Sequence, residues 1–195
     1  MIYYAGIGSR ELPRQYRDMF IRVGKYLAEQ GVVLRSGRAG GADESFEIGC
    51  DLGYGKKEIF VPWNDFMGPQ FKKHLSSLNK EDFNRAKKCF VLKSYNENPA
   101  PYKIAEKYHP QWSILKQGAQ KLQARNSHQV LGLDLETPSN FIICWTKDGL
   151  GQGGTGQALR IAKDYNIPIF DCGKYTDINE CRKDLFEFIK NHINN

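Results

Sequence analysis

The chain has 195 residues, of which 41% are hydrophobic and 26% charged, and this length is sufficient for one domain with a buried core. No apolar run approaches membrane-spanning length and no secretory signal is evident, so we expect a cytoplasmic protein without a membrane partner. Five cysteines without a CxxC pair argue against a disulfide framework or a metal site, and the net charge of +6 favours an anionic partner.

The first 62 residues alternate short apolar runs with helical patterns. Strands are predicted at 2–5, 32–34 and 58–61, and helices at 13–30 and 42–52. The alternation resumes with strands at 140–145 and 167–170 and an amphipathic helix near 178–193. Because such alternation is typical of a parallel sheet covered on both faces, we predict an α/β fold with a doubly wound, mostly parallel, Rossmann-like sheet.

The alternation lapses between residues 63 and 138. This segment contains Lys-rich pieces, predicted to be helical at 80–90 and 110–131, joined by an Asn- and Pro-rich stretch. We interpret it as a helical insert within a single domain that spans residues 1–195. An insert of this length is expected to cover the site as a lid or to determine substrate specificity.

Three glycine-rich turns follow predicted strands, at residues 6–10, 35–41 and 149–156. In an open parallel sheet, ligands bind beyond the carboxyl ends of the strands, and the first amides of a helix that starts there are free to bind phosphate. Arginines beside such turns can hold a phosphate with two hydrogen bonds. The turns therefore predict a phosphate or nucleotide site formed by Gly8, Ser9, Arg10, Ser36, Gly37, Arg38, Gly40, Gly153, Gly154, Thr155, Gly156 and Gln157.

Two common nucleotide-binding motifs do not account for these turns. Residues 149–154 match G-x-G-x-x-G, but three residues separate them from the preceding strand, whereas a dinucleotide-binding fold makes this turn tightly. The chain has no GK[ST], which argues against a P-loop NTPase. We expect no cofactor.

The turns resemble the signatures of a known superfamily. AGIGSR at residues 5–10, SGRAGGAD at 36–43 and GGTGQA at 153–158 are similar to motifs of the SLOG superfamily, which includes the DNA-processing protein DprA and the "Lonely guy" phosphoribohydrolases. The Arg125-Asn126 pair resembles a segment of DprA and joins the predicted binding residues on that basis. The resemblance implies a Rossmann-like sheet that binds nucleotides, in a homodimer or a higher homo-oligomer.

The resemblance also implies candidates for chemistry. In the phosphoribohydrolases, glutamates follow the G-G-x-G-T turn, but Gln157 stands in the corresponding segment of this chain. Cleavage of an N-glycosidic bond needs a carboxylate and an acid, and Asp43 and Glu47 share one helix face at a spacing of four residues. His109 is a further acid/base candidate, and Trp63 and Trp145 end strands where a nucleobase could stack.

The sequence is compatible with three functions. The leading one is hydrolysis of a nucleoside 5'-monophosphate to a free base and a sugar phosphate. The second is single-stranded DNA binding, as in DprA, and the third is a non-catalytic sensor or sink for a signalling nucleotide. The missing glutamate favours the third function over the first.

Overall fold

The computed structural model describes residues 1–193 and has a six-stranded sheet at its centre. The strands lie in the spatial order β4-β3-β2-β1-β5-β6, and each neighbouring pair is parallel. The predicted α/β, doubly wound sheet is confirmed, and it is parallel throughout. The strands are β1 (Tyr3–Gly8), β2 (Val33–Ser36), β3 (Lys57–Val61), β4 (Phe90–Val91), β5 (Phe141–Trp145) and β6 (Ile169–Asp171).

Helices connect and cover these strands. Their bounds are α1 (Arg14–Glu29), α2 (Ala42–Leu52), α3 (Pro69–Ser76), α4 (Lys80–Lys87), α5 (Ala100–Tyr108), α6 (Gln117–Leu131), α7 (Gly153–Asp164) and α8 (Ile178–Ile193). The predicted helices α2 and α8 have these same bounds. β6 starts two residues later than predicted, because the Ile167 amide is still bonded to the Ala162 carbonyl at the end of α7.

Strand alternation distributes the core between the two faces of the sheet. In β5, Phe141 and Ile143 pack with α1, α2 and α8, whereas Ile142 and Cys144 pack with α6 and α7. All four side chains are fully buried. A parallel strand buried on both faces has an almost continuous apolar sequence, which is why β5 was recognisable from the chain alone.

The segment between β3 and β5 contributes to the sheet itself. Phe90, predicted to end a helix, instead begins β4 and pairs with Phe60 of β3, with their rings stacked 5.5 Å apart. A strand of two residues is too short to show an alternating pattern. The predicted helix at 110–131 also starts later, since Trp112–Ile114 forms a 3₁₀ turn and α6 begins at Gln117.

Two further findings concern the described part of the chain. Among residues 1–193, no helix is both long and apolar enough to cross a membrane. The same residues contain no group of three or more His, Cys, Asp or Glu side chains placed to hold a metal ion.

Candidate anion-binding site

A cavity of about 340 Å³ opens where the carboxyl ends of β1 and β5 meet. The chain continues from β1 toward β2 on one side and from β5 toward β6 on the other, so the strand order reverses here, as at the ligand sites of open parallel sheets. The cavity is lined by Ile7, Gly8, Ser9, Arg10, Glu11, Ala39, Asp43, Leu122, Gln123, Arg125, Asn126, Gln129, Gln152, Gly153, Gly154, Thr155 and Ala158.

The N-terminus of α7 opens directly on this cavity. Gln152 precedes the helix, and within residues 1–193 no side chain caps its first amides. A Cβ atom built on Gly153 would meet nothing within 4 Å, and one on Gly154 would meet only Gln123 Nε2, at 3.5 Å. These two glycines therefore serve no packing role, and the free amides carry the positive end of the helix dipole into open space.

The second glycine turn is closed by carboxylates of the chain itself. The Asp43 carboxylate accepts hydrogen bonds from the Gly8 amide at 3.2 Å and the Ala39 amide at 3.4 Å. The Glu44 carboxylate accepts one from the Gly41 amide at 3.0 Å and one from Gln70 at 2.9 Å. Amides that are already bonded are not available to an anion, whereas the first amides of α7 have no side-chain cap among the described residues.

A buried ion pair forms the inner wall of the cavity. Arg125 Nη1 donates to Asp43 Oδ2 at 3.2 Å, and both side chains are more than nine-tenths buried. Burial raises the pKa of the Asp43 carboxyl, although the Arg125 guanidinium and two backbone amides act in the opposite direction. Burial also lowers the pKa of the Arg125 guanidinium.

Gly37 is required by this ion pair. A Cβ atom at Gly37 would lie 1.1 Å from Arg125 Nη1, so the guanidinium occupies the space that any other residue would fill. Arg125 Nε has no hydrogen-bond partner within residues 1–193. The structure thus leaves one buried donor of Arg125 without a hydrogen-bond partner in the described part of the chain.

A group of carboxamides joins α6 to the start of α7. Asn126 Nδ2 lies 3.3 Å from Gln123 Oε1, 3.1 Å from Gln157 Oε1 and 3.1 Å from the Gly154 carbonyl oxygen. Gln157 is fully buried behind the cavity. Its predicted role as a ligand residue is therefore replaced by a positioning role, since it helps to hold Asn126 against α7.

Arg38 and Glu47 lie away from the cavity, in an ion pair with each other. Arg38 Nη2 donates to Glu47 Oε1 at 2.6 Å, and the two side chains are 2% and 0% exposed. Arg38 also donates to the carbonyls of Ala86 at 3.1 Å and Lys88 at 3.2 Å, at the C-terminus of α4. These bonds give Arg38 and Glu47 a structural role. Each buried charge has a partner, and Arg38 also donates to the last carbonyls of α4, which have no donor within the helix.

The remaining phosphate-binding candidates have packing or hydrogen-bonding roles. Ser36 Oγ donates to the Gly6 carbonyl at 2.6 Å, in the buried sheet. Gly40 lies against Pro69 at the start of α3. A Cβ atom at Gly156 would lie 1.9 Å from the Gly151 carbonyl oxygen, so this glycine lets the loop approach α7.

The other candidates for chemistry and base stacking also lie outside the cavity wall. His109 ends α5, where its ring accepts a hydrogen bond from the Gln111 amide at 3.2 Å. Trp63 packs edge-on against Phe66. Trp145 lies two and four residues after Ile143 and Phe141 in β5, so its side chain points to the same face of the sheet. It is buried in the core on the α1 side.

Several cavity residues were not predicted from the sequence. Gln123, Asn126 and Gln129 follow one another at intervals of three residues along α6, so helical spacing around the predicted Asn126 could have found the two glutamines. Gln152 directly precedes the predicted Gly153. Glu11 is exposed, and its backbone amide donates to Ser9 Oγ. No motif or helical spacing in the sequence indicates that Glu11 lines the cavity.

Comparison with known proteins identifies a similar fold. No family model and no curated protein sequence matches the chain. Among solved structures, the chain is similar to DNA processing protein A from Helicobacter pylori, with 22% sequence identity, a TM-score of 0.57, and coverage of 99% of this chain and 79% of the other. This likeness establishes a DprA-like, Rossmann-type fold.

Proposed function

We propose that the chain binds single-stranded DNA and holds a backbone phosphate at the N-terminus of α7. The observation that carries this proposal is the uncapped start of α7, which opens on a cavity walled by the Arg125–Asp43 ion pair. The choice of ligand is supported by the fold, since the structure of H. pylori DNA processing protein A is described as showing a single-stranded DNA binding mode.

The cavity offers a phosphate two kinds of donor. Backbone amides at Gly153, Gly154 and Thr155 can donate to its oxygens, aided by the helix dipole. Arg10 is exposed at the rim and Arg125 lies in the wall, so guanidinium groups can approach the same anion. The net charge of +6 attracts a polyanion over longer distances.

Recognition of the base in this proposal depends on carboxamides and apolar contacts rather than on tryptophan. Leu122 provides an apolar surface in the cavity, and the side chains of Gln123 and Gln129 can form hydrogen bonds with a base edge. Neither predicted stacking residue lines the cavity.

Hydrolysis of an N-glycosidic bond has less support. Asp43 is the only one of the three predicted catalytic residues in the cavity wall, and its oxygens already accept hydrogen bonds from Gly8, Ala39 and Arg125. Such bonding is typical of a carboxylate that braces a turn. Incubation of the protein with nucleoside monophosphates and chromatography of released base tests this activity, and we expect no release.

The DNA-binding proposal is tested by fluorescence anisotropy with labelled oligothymidylate of about 15 nucleotides, which is comparable to known site sizes on single strands. We expect binding at about 50 mM salt, with an affinity that falls steeply as salt increases because phosphate contacts release counterions. Duplex DNA of the same length and free nucleotides serve as competitors. Absence of binding to the single strand at low salt would overturn the proposal.

A further inference from the structure

We infer that a basic groove between α7 and the edge strand β6 is a second phosphate-binding site, which holds the DNA strand where it leaves the cavity. This inference rests on the proposed function and extends it. The groove has a volume of about 260 Å³, and its lining includes Gly149, Gly151, Gly156 and Asp171. It contains the basic side chains Arg160, Lys163 and Lys174, which the primary cavity does not use.

Two adjacent faces of α7 serve the two sites. Gly154 and Ala158, four residues apart, line the cavity, whereas Gly156, Arg160 and Lys163 follow one another at helical spacing along the groove. The loop before α7 makes the same transition, since Gly151 lines the groove and the next residue, Gln152, lines the cavity. Consecutive Cα atoms are about 3.8 Å apart, so the two sites share a boundary.

The chain positions two of the three cations. The stem of Lys174 packs over Gly149, where a Cβ atom would lie 2.5 Å from Lys174 Cγ. Arg160 Nε donates to the Tyr108 carbonyl at 2.7 Å, which orients the guanidinium and leaves its other nitrogens available. A cation that is already held in place loses less conformational entropy when it binds an anion.

Anionic side chains of the protein do not neutralise this group. No ion pair of Arg160, Lys163 or Lys174 occurs among residues 1–193. Asp171 is the one carboxylate in the groove lining, and it is buried. It accepts hydrogen bonds from the Thr146 and Gly173 amides, both at 2.9 Å, and from the Thr146 hydroxyl.

These observations indicate a site for an anion that extends beyond the first phosphate. The groove contains three cationic side chains and one carboxylate, Asp171, whose oxygens already accept hydrogen bonds from the chain. Lys163 and Lys174 are exposed to solvent. A single DNA strand supplies phosphates at regular intervals, so a strand held at α7 can place a following phosphate over the groove. A free mononucleotide cannot occupy both sites with one phosphate.

The test compares the double variant Lys163→Gln/Lys174→Gln with the wild-type protein on oligothymidylates of increasing length. We expect both proteins to bind a very short oligonucleotide equally, while the variant loses the gain in affinity that the wild type shows with length. For two phosphate contacts, the salt dependence of binding to the longer strand should weaken by about 1.4 in log–log slope. Arg160 is left unchanged because its bond to Tyr108 is structural.

A matched control removes the same charge elsewhere. Lys56, exposed at the amino end of β3, and Lys183, exposed on α8 at the opposite sheet face from α7, are both changed to Gln. The control should keep the wild-type length and salt dependence. If the groove variant behaves like the control while the wild type binds DNA, the inference is wrong and the proposed function stands. If the wild-type protein binds no oligonucleotide, both are wrong.

Discussion

Glycines of similar appearance in the sequence have two different roles in this structure. Gly37 and Gly49 are packing residues, since a Cβ atom would lie 1.1 Å from Arg125 Nη1 in one case and 2.1 Å from the Ile21 carbonyl oxygen in the other. Gly153 and Gly154 leave space open at the start of α7. Only the second kind exposes amides to a ligand, so a count of glycines overestimates the binding surface.

The open position at Gly154 allows a direct test of the anion site. Gly154→Asp should lower the affinity for single-stranded DNA at least about tenfold, which corresponds to about 1.4 kcal/mol, because a fixed carboxylate would occupy the helix N-terminus. Stability should stay the same or rise by about 0.3–1 kcal/mol, since an acid in this position complements the helix dipole. Anisotropy and urea unfolding measure the two effects.

Gly154→Asn is the matched control for this substitution. It adds a side chain of the same shape without the charge, so it should keep more of the DNA affinity than Gly154→Asp. Equal affinities of the two variants would show that charge at this helix terminus does not matter for binding, and the proposed phosphate position would then be wrong.

At the level of secondary structure elements, a buried network of charges joins α2 and β3 to the inserted helices. Glu47 of α2 bonds Arg38 and also Lys57 of β3, whose Nζ lies 2.8 Å from Glu47 Oε1. Lys57 also contacts Asp51, at 2.7 Å, and Asp51 lies 3.3 Å from His74 Nε2 of α3. The network therefore holds α3 and α4 against the sheet, so this part of the insert, which we expected to be a lid or a specificity element, also has a structural role.

This network predicts that Glu47 acts on stability. Glu47→Gln should lower the free energy of unfolding by about 3–5 kcal/mol, because it leaves Arg38 and Lys57 buried without their shared counter-charge. Glu29→Gln, which removes an exposed carboxylate 3.7 Å from Lys25, should cost no more than about 0.5 kcal/mol. Urea denaturation measures both variants. A Glu47 variant as stable as the Glu29 variant would contradict the structural role.

For the molecule as a whole, the ionisable groups predict a loss of stability in acid. Burial alone would raise the pKa of the Asp51 carboxyl, but its close contacts with His74 and with the Lys57 ammonium outweigh burial and lower it. Hydrogen bonds from Thr137 and Glu136 lower the pKa of Asp134 to about 2. Asp43, whose pKa is raised by burial, acts in the opposite direction.

The sign follows from proton binding. Between the lowered pKa values and the ordinary value of 3.8, the unfolded chain binds more protons than the folded one, so stability is present above about pH 4 and is lost as the pH falls toward about 2. Urea unfolding at several pH values measures this loss. Asp51→Asn should show a shallower decline, and a wild-type stability that is constant down to about pH 2 would contradict the prediction.

Some expectations at this scale stay predictions. A homodimer or a higher homo-oligomer is expected from the family resemblance, and native mass spectrometry of the purified protein would show its mass. The same measurement would detect a nucleotide that copurifies with the chain.

The sequence by itself determined the fold class and the position of the cleft. Apolar runs such as β5, separated by helices, specify a parallel sheet because both faces of each strand must be covered. Glycine turns at the carboxyl ends of β1 and β5 then locate the cleft, since the topology brings these ends together. The bounds of α2 and α8 could also be predicted from the chain alone.

Only the tertiary structure decided which polar residues face the cavity. Arg38 and Arg125 were both predicted from sequence motifs to bind phosphate. In the structure, Arg38 bonds to Glu47 and α4, whereas Arg125 lies in the cavity wall. Likewise, Trp145 belongs to the core and not to the site, because strand parity places it on the α1 face. The physical reason is that a charged or polar group takes the partners that burial leaves within reach, and those partners come from distant parts of the chain.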